Sequence, residues 1–215
     1  MRDGVMDWAS MIIVGAGGFG NEVFEYARDA SGHADNFEIK GFLDDDFSRS
    51  SQLLAPFLGT PAAYQPELAD RFVVAVGDSV ARERVVHDLA KRGAMFVSLV
   101  HPTAYVAATA SIGAGCIVAP FCALGDHARL RDHVIMTWYA SAGHGTVIGS
   151  FSMLSPHAVV NGEATLGDGV FLGTHASINP RVISADGPRS PPARLSMSPS
   201  RSDASHPAIR RPRCR

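Results

Sequence analysis

The stretch SAGHGTVIGSF, residues 141–151, holds one histidine, His144, between Gly143 and Gly145. No acid and no nucleophile stands next to it. Imidazole as a class titrates near neutral pH, so a histidine can take a proton from an attacking amine or hydroxyl. It can equally be a polar residue filling a turn. A second candidate is Gly15-Ala16-Gly17-Gly18-Phe19-Gly20, which fits G-x-G-x-x-G. Backbone N–H groups in such a loop can approach a phosphate at a helix N-terminus. Asp44, Asp45 and Asp46 end the next apolar run, where a dinucleotide site would place its ribose-binding acid. These features alone suit an NAD-dependent oxidoreductase, but no hydride-transfer site accompanies them.

Two patterns would have to position these residues. Residues 11–99 alternate short β-like runs with helical stretches. MIIVGAGGFG is a strand breaking into glycines, followed by a helix from about Asn21 to Ala30. FEIKGFLDDD and FVVAVGD are two more strands, VARERVVHDLAKRG is a helix closed by Gly93, and MFVSLV is a fourth strand. The alternation implies a small parallel α/β sheet. From about residue 100 the period becomes six. From Val106 through Ile112 and Val118 to Ile178, an aliphatic recurs at every sixth position, with Ala142 as the only small member. A small or β-branched residue follows each by four, including Cys116 and Cys122. A hexapeptide period is a signature of a β-helix, in which three units make one triangular coil. Both marked positions point inward, so the two cysteines read as core filler.

Residues eighteen apart then lie one above another. Tyr139, His157 and His175 form one such column, and His127, Gly145 and Glu163 another. Asp126 falls directly below His144. Nine histidines invite a metal reading, but a zinc site needs three or four convergent ligands. His157 with His175 supplies two, so no metal is expected.

The net charge of −2 and pI near 6.5 argue against a nucleic-acid partner or a polybasic membrane anchor. No run reaches transmembrane length, and MRDGVMDWAS does not read as a signal peptide. Three cysteines without a C-x-x-C pair point to a reduced, cytoplasmic setting. The expected organisation is an extension over 1–10, an α/β domain over 11–99, a β-helix over 100–183 and a tail over 184–215. At Ser184 the period lapses into a Pro-, Ser- and Arg-rich segment, expected to be disordered. A native basic tail and a shifted reading frame both remain open.

Taken together, IIVGAGGFGNEV, GFLDDD, VAVGD…R, LVHPTAYV, GHGTVIG and GDGVFLGTHASINP resemble one family. It comprises the bacterial sialic-acid O-acetyltransferases and the N-acetyltransferases of UDP-4-amino-sugars. The resemblance covers about residues 11–182. It implies a Rossmann-like acceptor-binding domain, a left-handed parallel β-helix, a homotrimer, and acetyl-CoA bound between neighbouring β-helices. It makes His144 the general base. Gly17, Gly18, Phe19, Asp44, Asp45, Gly77 and Asp78 would bind the nucleotide-linked or sialic-acid-like sugar. Met153, Gly162 and Thr174 would contact acetyl-CoA. The family commonly places an acid directly after the histidine, where this chain has Gly145. Asp126 or Glu163 is the expected substitute, set by stacking. An inactive relative that binds nucleotide-sugar without catalysis is the alternative.

Overall fold

The computed structural model describes residues 10–31, 37–46, 48 and 53–187. His33, Cys214 and the parts of the expected terminal segments before residue 10 and after residue 187 lie outside the described residues. Among the described residues, no helix is long and apolar enough to cross a membrane.

β1 (Ser10–Val14) lies centrally in a parallel sheet with β2 (Glu38–Leu43), β3 (Phe57–Gly59) and β4 (Asp70–Val74), in the order β3-β2-β1-β4. Strand side chains alternate between faces. Met11 and Ile13 therefore pack with Val23, Tyr26 and Ala27 of α1 (Gly18–Ser31), while Ile12 and Val14 pack with Val86 and Leu89 of α2 (Ser79–Ala90). One helix covers each face. Gly15 allows the turn out of β1: its φ is +108°, and a Cβ there would stand 2.7 Å from the Ala75 carbonyl oxygen.

MFVSLV, expected as a strand of this sheet, is divided. Phe96 makes a single bridge to Phe72, whereas Leu99–Val100 pairs with Ile117–Val118 and begins the β-helix. Ser98 makes the transition. Its hydroxyl donates to Gly113 O at 2.5 Å and accepts from Cys116 N at 3.0 Å, tying the chain to the first coil. The remaining strand of the sheet is β3, too short at three residues to carry a periodic signal.

The hexapeptide region folds as a parallel β-helix of two-residue strands, each paired with the strands eighteen residues before and after it. Two faces stack five strands and the third stacks four. The second residue of each strand points inward; Leu124, Ile148, Leu154 and Val160 are fully buried, and Ala142 is buried as well. The small positions fill the corners. Burial pushes the Cys116 thiol up to about 11 and the Cys122 thiol up to about 12, which keeps both protonated and unreactive. A third periodic position emerges from the backbone. Every sixth residue from Gly115 (φ +68°) to Arg181 (φ +62°) takes the left-handed conformation. His127, His133, His157 and His175 all stand at these turns.

The coil does not stop where the aliphatic period does. Ser184 N–H donates to Thr165 O at 2.8 Å, Asp168 N–H to the Asp186 carboxylate at 3.0 Å, and Gly187 N–H to Asp168 O at 2.7 Å. Residues 184–187, expected in the tail, therefore continue the stacking. The two domains share one core. At their seam, Tyr26 and Trp138 meet edge to face at 5.6 Å, and the Tyr26 hydroxyl donates to Glu22 at 2.9 Å. Beside them, His101 Nε2 lies 3.2 Å from Asp29.

Candidate active site

His144 sits at the corner between the strands Ser141–Ala142 and Val147–Ile148, with its side chain exposed. Gly162, one coil above, makes room for it. A Cβ on Gly162 would stand 2.6 Å from His144 Cε1, so any side chain there would push the ring out of this position. Gly145 holds the left-handed turn position at φ +65°, and its N–H donates to Asp126 O at 2.8 Å. His144 O in turn accepts from Glu163 N–H at 2.8 Å. The imidazole projects into an open cleft of about 540 Å³, lined also by Tyr105, Asn161, Glu163, Pro180 and Arg181.

Neither expected carboxylate partner pairs with this imidazole. Asp126 accepts the Thr109 hydroxyl at 2.5 Å and lies 3.9 Å from His127 Nε2. Glu163 accepts from Arg181 Nε at 2.8 Å. That hydrogen bond and the Arg181 charge hold the Glu163 carboxyl below its ordinary range, and His144 adds a smaller pull in the same direction. Among the described residues, the imidazole makes no hydrogen bond or ion pair. Arg181 escaped the sequence reading, although it stands eighteen residues after Glu163 in the same column.

The other expected residues gather at the C-terminal edge of the sheet. The chain order reverses direction between β1 and β4, and a crevice outside such a point is where open α/β sheets bind ligands. Gly17, Gly18 and Phe19 leave β1 there, and Gly18 borders open space. Asp44 closes the loop: its carboxylate accepts from Ala16 N–H at 2.6 Å and from Asp46 N–H at 2.8 Å. Asp45 is exposed beside it. Asp78 caps α2 by accepting from Ala81 N–H at 2.8 Å. Gly77, Asp78 and Ser79 face Phe151, Met153, Val170 and Phe171 across a pocket of about 360 Å³ between the domains.

The structure thus separates the three expected acetyl-CoA contacts along the chain. Gly162 lies against His144, Met153 walls the interdomain pocket, and Thr174 is exposed at a third corner beside His175. No residue lines both clefts. The column Tyr139–His157–His175 forms as stacking predicts, with ring centroids 4.9 and 4.8 Å apart, and Phe121 extends it at 5.1 Å. Among the described residues, no group of three or more His, Cys, Asp or Glu side chains could hold a metal ion.

Residues 10–89 match the family model described as the PglD N-terminal domain. This chain carries a PglD-type N-terminal domain. The acetyltransferase domain of PglB from Neisseria gonorrhoeae FA1090 is similar over both halves: 27% identity, 85% of this chain and 98% of that one, TM-score 0.68. That domain has also been solved in complex with acetyl coenzyme A. PerB from Caulobacter crescentus, in complex with CoA and GDP-perosamine, shares the fold at 20% identity, 82% and 91% coverage and TM-score 0.70. So does WeeI from Acinetobacter baumannii AYE, at 24% identity, 83% and 90% coverage and TM-score 0.69. The likeness to the PglB acetyltransferase domain runs across both the PglD-type domain and the hexapeptide β-helix of this chain.

Proposed function

We propose that this chain transfers an acetyl group from acetyl-CoA to the amino group of a nucleotide-linked sugar, with His144 as general base. The observation that carries the reading is the His144 imidazole itself, seated on the bare backbone of Gly162, open to a cleft and without a hydrogen-bond partner among the described residues. The amine nitrogen adds its lone pair to the thioester carbonyl while the imidazole takes the amine proton. The tetrahedral adduct collapses, the C–S bond breaks, and the imidazolium gives its proton to the departing sulfur, so CoA leaves as the thiol and the base is restored. No acyl-enzyme is required, which suits a site with no serine or cysteine beside the histidine. The acceptor sits at the sheet edge, its phosphates near Gly17 and Gly18 and its sugar reaching toward Gly77, Asp78 and Asp45. PerB, which binds CoA together with GDP-perosamine on the same fold, supports this substrate class.

A homotrimer completes the site. The His144 cleft and the Met153 pocket lie on different corners of one β-helix, so a neighbouring copy must bring one to the other. The described residues favour one second reading, an inactive relative that binds nucleotide-sugar. Gly145 stands where the family's acid is expected, and neither Asp126 nor Glu163 replaces it at the imidazole.

Thiol release from acetyl-CoA separates the readings. Wild type and His144→Ala are compared with UDP-4-amino-sugars, GDP-perosamine and sialic acid as acceptors. The expected result is turnover by wild type on an amino sugar, falling about 10²- to 10⁴-fold in the variant. Turnover unchanged by His144→Ala removes the base assignment; no turnover by wild type favours the inactive relative.

A further inference from the structure

Arg82 heads the large side chains that are fully buried, at 1% exposure, yet it sits between the domains rather than in either core. Among the described residues no carboxylate hydrogen-bonds it. Its guanidinium donates to main-chain carbonyls on both sides of the seam. Nη1 reaches Val76 O at 2.5 Å and Gly77 O at 3.1 Å. Nη2 reaches Phe151 O and, at 3.5 Å, Ser152 O. Nε is buried without a hydrogen-bond partner among the described residues. Burial pulls the guanidinium down to about 10, with the Asp78 charge opposing, so it remains a cation at neutral pH.

Burying a cation without an anionic partner is unfavourable by several kcal/mol before its hydrogen bonds are counted. An apolar side chain could fill the same space at lower cost. What an apolar side chain could not do is hold two loops at a fixed separation. The loops concerned are the two walls of the interdomain pocket, Gly77 to Ser79 on one side and Phe151 to Met153 on the other. The planar guanidinium fork sets that separation because its two nitrogens address different loops.

We propose that Arg82 is a positioning residue that fixes the width of this pocket and thereby the binding of the acceptor sugar. The proposal rests on the acetyltransferase reading for the identity of the ligand, but not for the mechanical coupling of the loops. Arg82 donates only to main-chain carbonyls and is fully buried, so it takes no part in the proton transfer assigned to His144, and the chemical step and the Arg82 tie are separable.

The test compares the full chain with Arg82→Lys and Arg82→Met. Lysine keeps the charge and can address one loop; methionine addresses neither. With an acceptor that wild type acetylates, the acceptor KM should rise about tenfold in Arg82→Lys and further in Arg82→Met, with kcat within about threefold and the acetyl-CoA KM rising clearly less than the acceptor KM. A folded variant with unchanged acceptor KM overturns the proposal, as does a proportionate change in both KM values and kcat. Hydrogen exchange without ligand gives a readout independent of turnover. In Arg82→Lys, amides of residues 76–78 and 151–153 should exchange faster together while β1 and β2 keep their protection. Unchanged exchange at both loops, or a uniform rise across the sheet, overturns it. Should neither variant fold, exchange in wild type decides: the acceptor must protect both loops at once, and protection of one alone defeats the idea. Absence of turnover by wild type on every acceptor would defeat the acetyltransferase reading alone, since the ligand-free exchange result stands by itself.

Discussion

At the scale of single residues, the proposed site depends on an absence of atoms as much as on an imidazole. Gly162 gives His144 its position because nothing projects from its Cα into the ring. Gly162→Ala should therefore displace the imidazole while the β-helix stays folded. A displacement on the order of 1 Å predicts a fall in kcat of about 10²-fold, read by thiol release, with melting temperature changed by a few degrees at most. Wild-type kcat in a folded Gly162→Ala protein would show that the ring position does not matter. His133 is the opposite kind of histidine. It is buried, stacked on Phe151 at 5.0 Å and edge-on to Phe96 at 4.9 Å. Burial pushes its pKa down to about 4, the nearby Arg82 charge adds to this, and Asp132 opposes it. The folded state therefore holds fewer protons than the unfolded chain between about pH 6.5 and 4. Stability should fall as pH drops through that window, by up to roughly 3 kcal/mol from this group, and level off below it. His133→Asn, which tolerates the left-handed turn, should flatten the dependence of urea unfolding on pH; an unaltered slope would assign the acid lability to other groups.

At the scale of elements, the β-helix has a cost built into each corner. Nine residues other than glycine take positive φ, and each such residue is disfavoured by about 1–2 kcal/mol relative to the right-handed region. Where the residue is aromatic, stacking on the coil above and below offsets this. His157 stacks on both Tyr139 and His175, and such ring pairs contribute about 0.5–1.5 kcal/mol. His127 has no ring partner among the described residues; below it is Thr109, whose hydroxyl accepts from its backbone N–H at 2.9 Å. His127→Gly should therefore be neutral to stabilising by about 0.5 kcal/mol, whereas His157→Gly should destabilise. Chemical denaturation of the two variants side by side checks this, and equal effects would remove stacking from the explanation. The hexapeptide strands were legible because inward positions repeat every six residues. The strand at Leu99–Val100 and the bridge at Phe96 were misplaced because local hydrophobicity is alike in both sheets; the choice was made by Ser98, through bonds to residues fifteen and eighteen positions on.

At the scale of the whole molecule, the two domains are one mechanical unit. The core is continuous across the seam, and Arg82, Trp138 and Tyr26 reach over it. Hydrogen bonds of the β-helix outlast the aliphatic period. A chain ending at Val182 loses the partners of Thr165, Gly167 and Asp168 that Ser184, Asp186 and Gly187 supply. It should melt several degrees below a chain ending at Gly187, because each lost hydrogen bond is worth about 1 kcal/mol. Coincident melting curves would show that residues 183–187 contribute nothing.

The sequence by itself determined the two architectures, the singularity of His144 and the ring column, because all three follow from period: apolar alternation, a six-residue repeat, and an eighteen-residue coil. The glycine loop was legible for the same kind of reason, since only glycine tolerates its turn. What the tertiary structure alone decided is partnership. Asp126 and Glu163 lie in the columns that stacking arithmetic assigns, but Thr109 and Arg181 engage them, and side-chain rotamers rather than coil position choose between such neighbours. Asp44 likewise serves the loop backbone, and Met153, Gly162 and Thr174 stand at separate places on the coils. Spacing along a chain fixes which residues share a face. It does not fix which of them touch, because that depends on atoms supplied by segments far away in sequence.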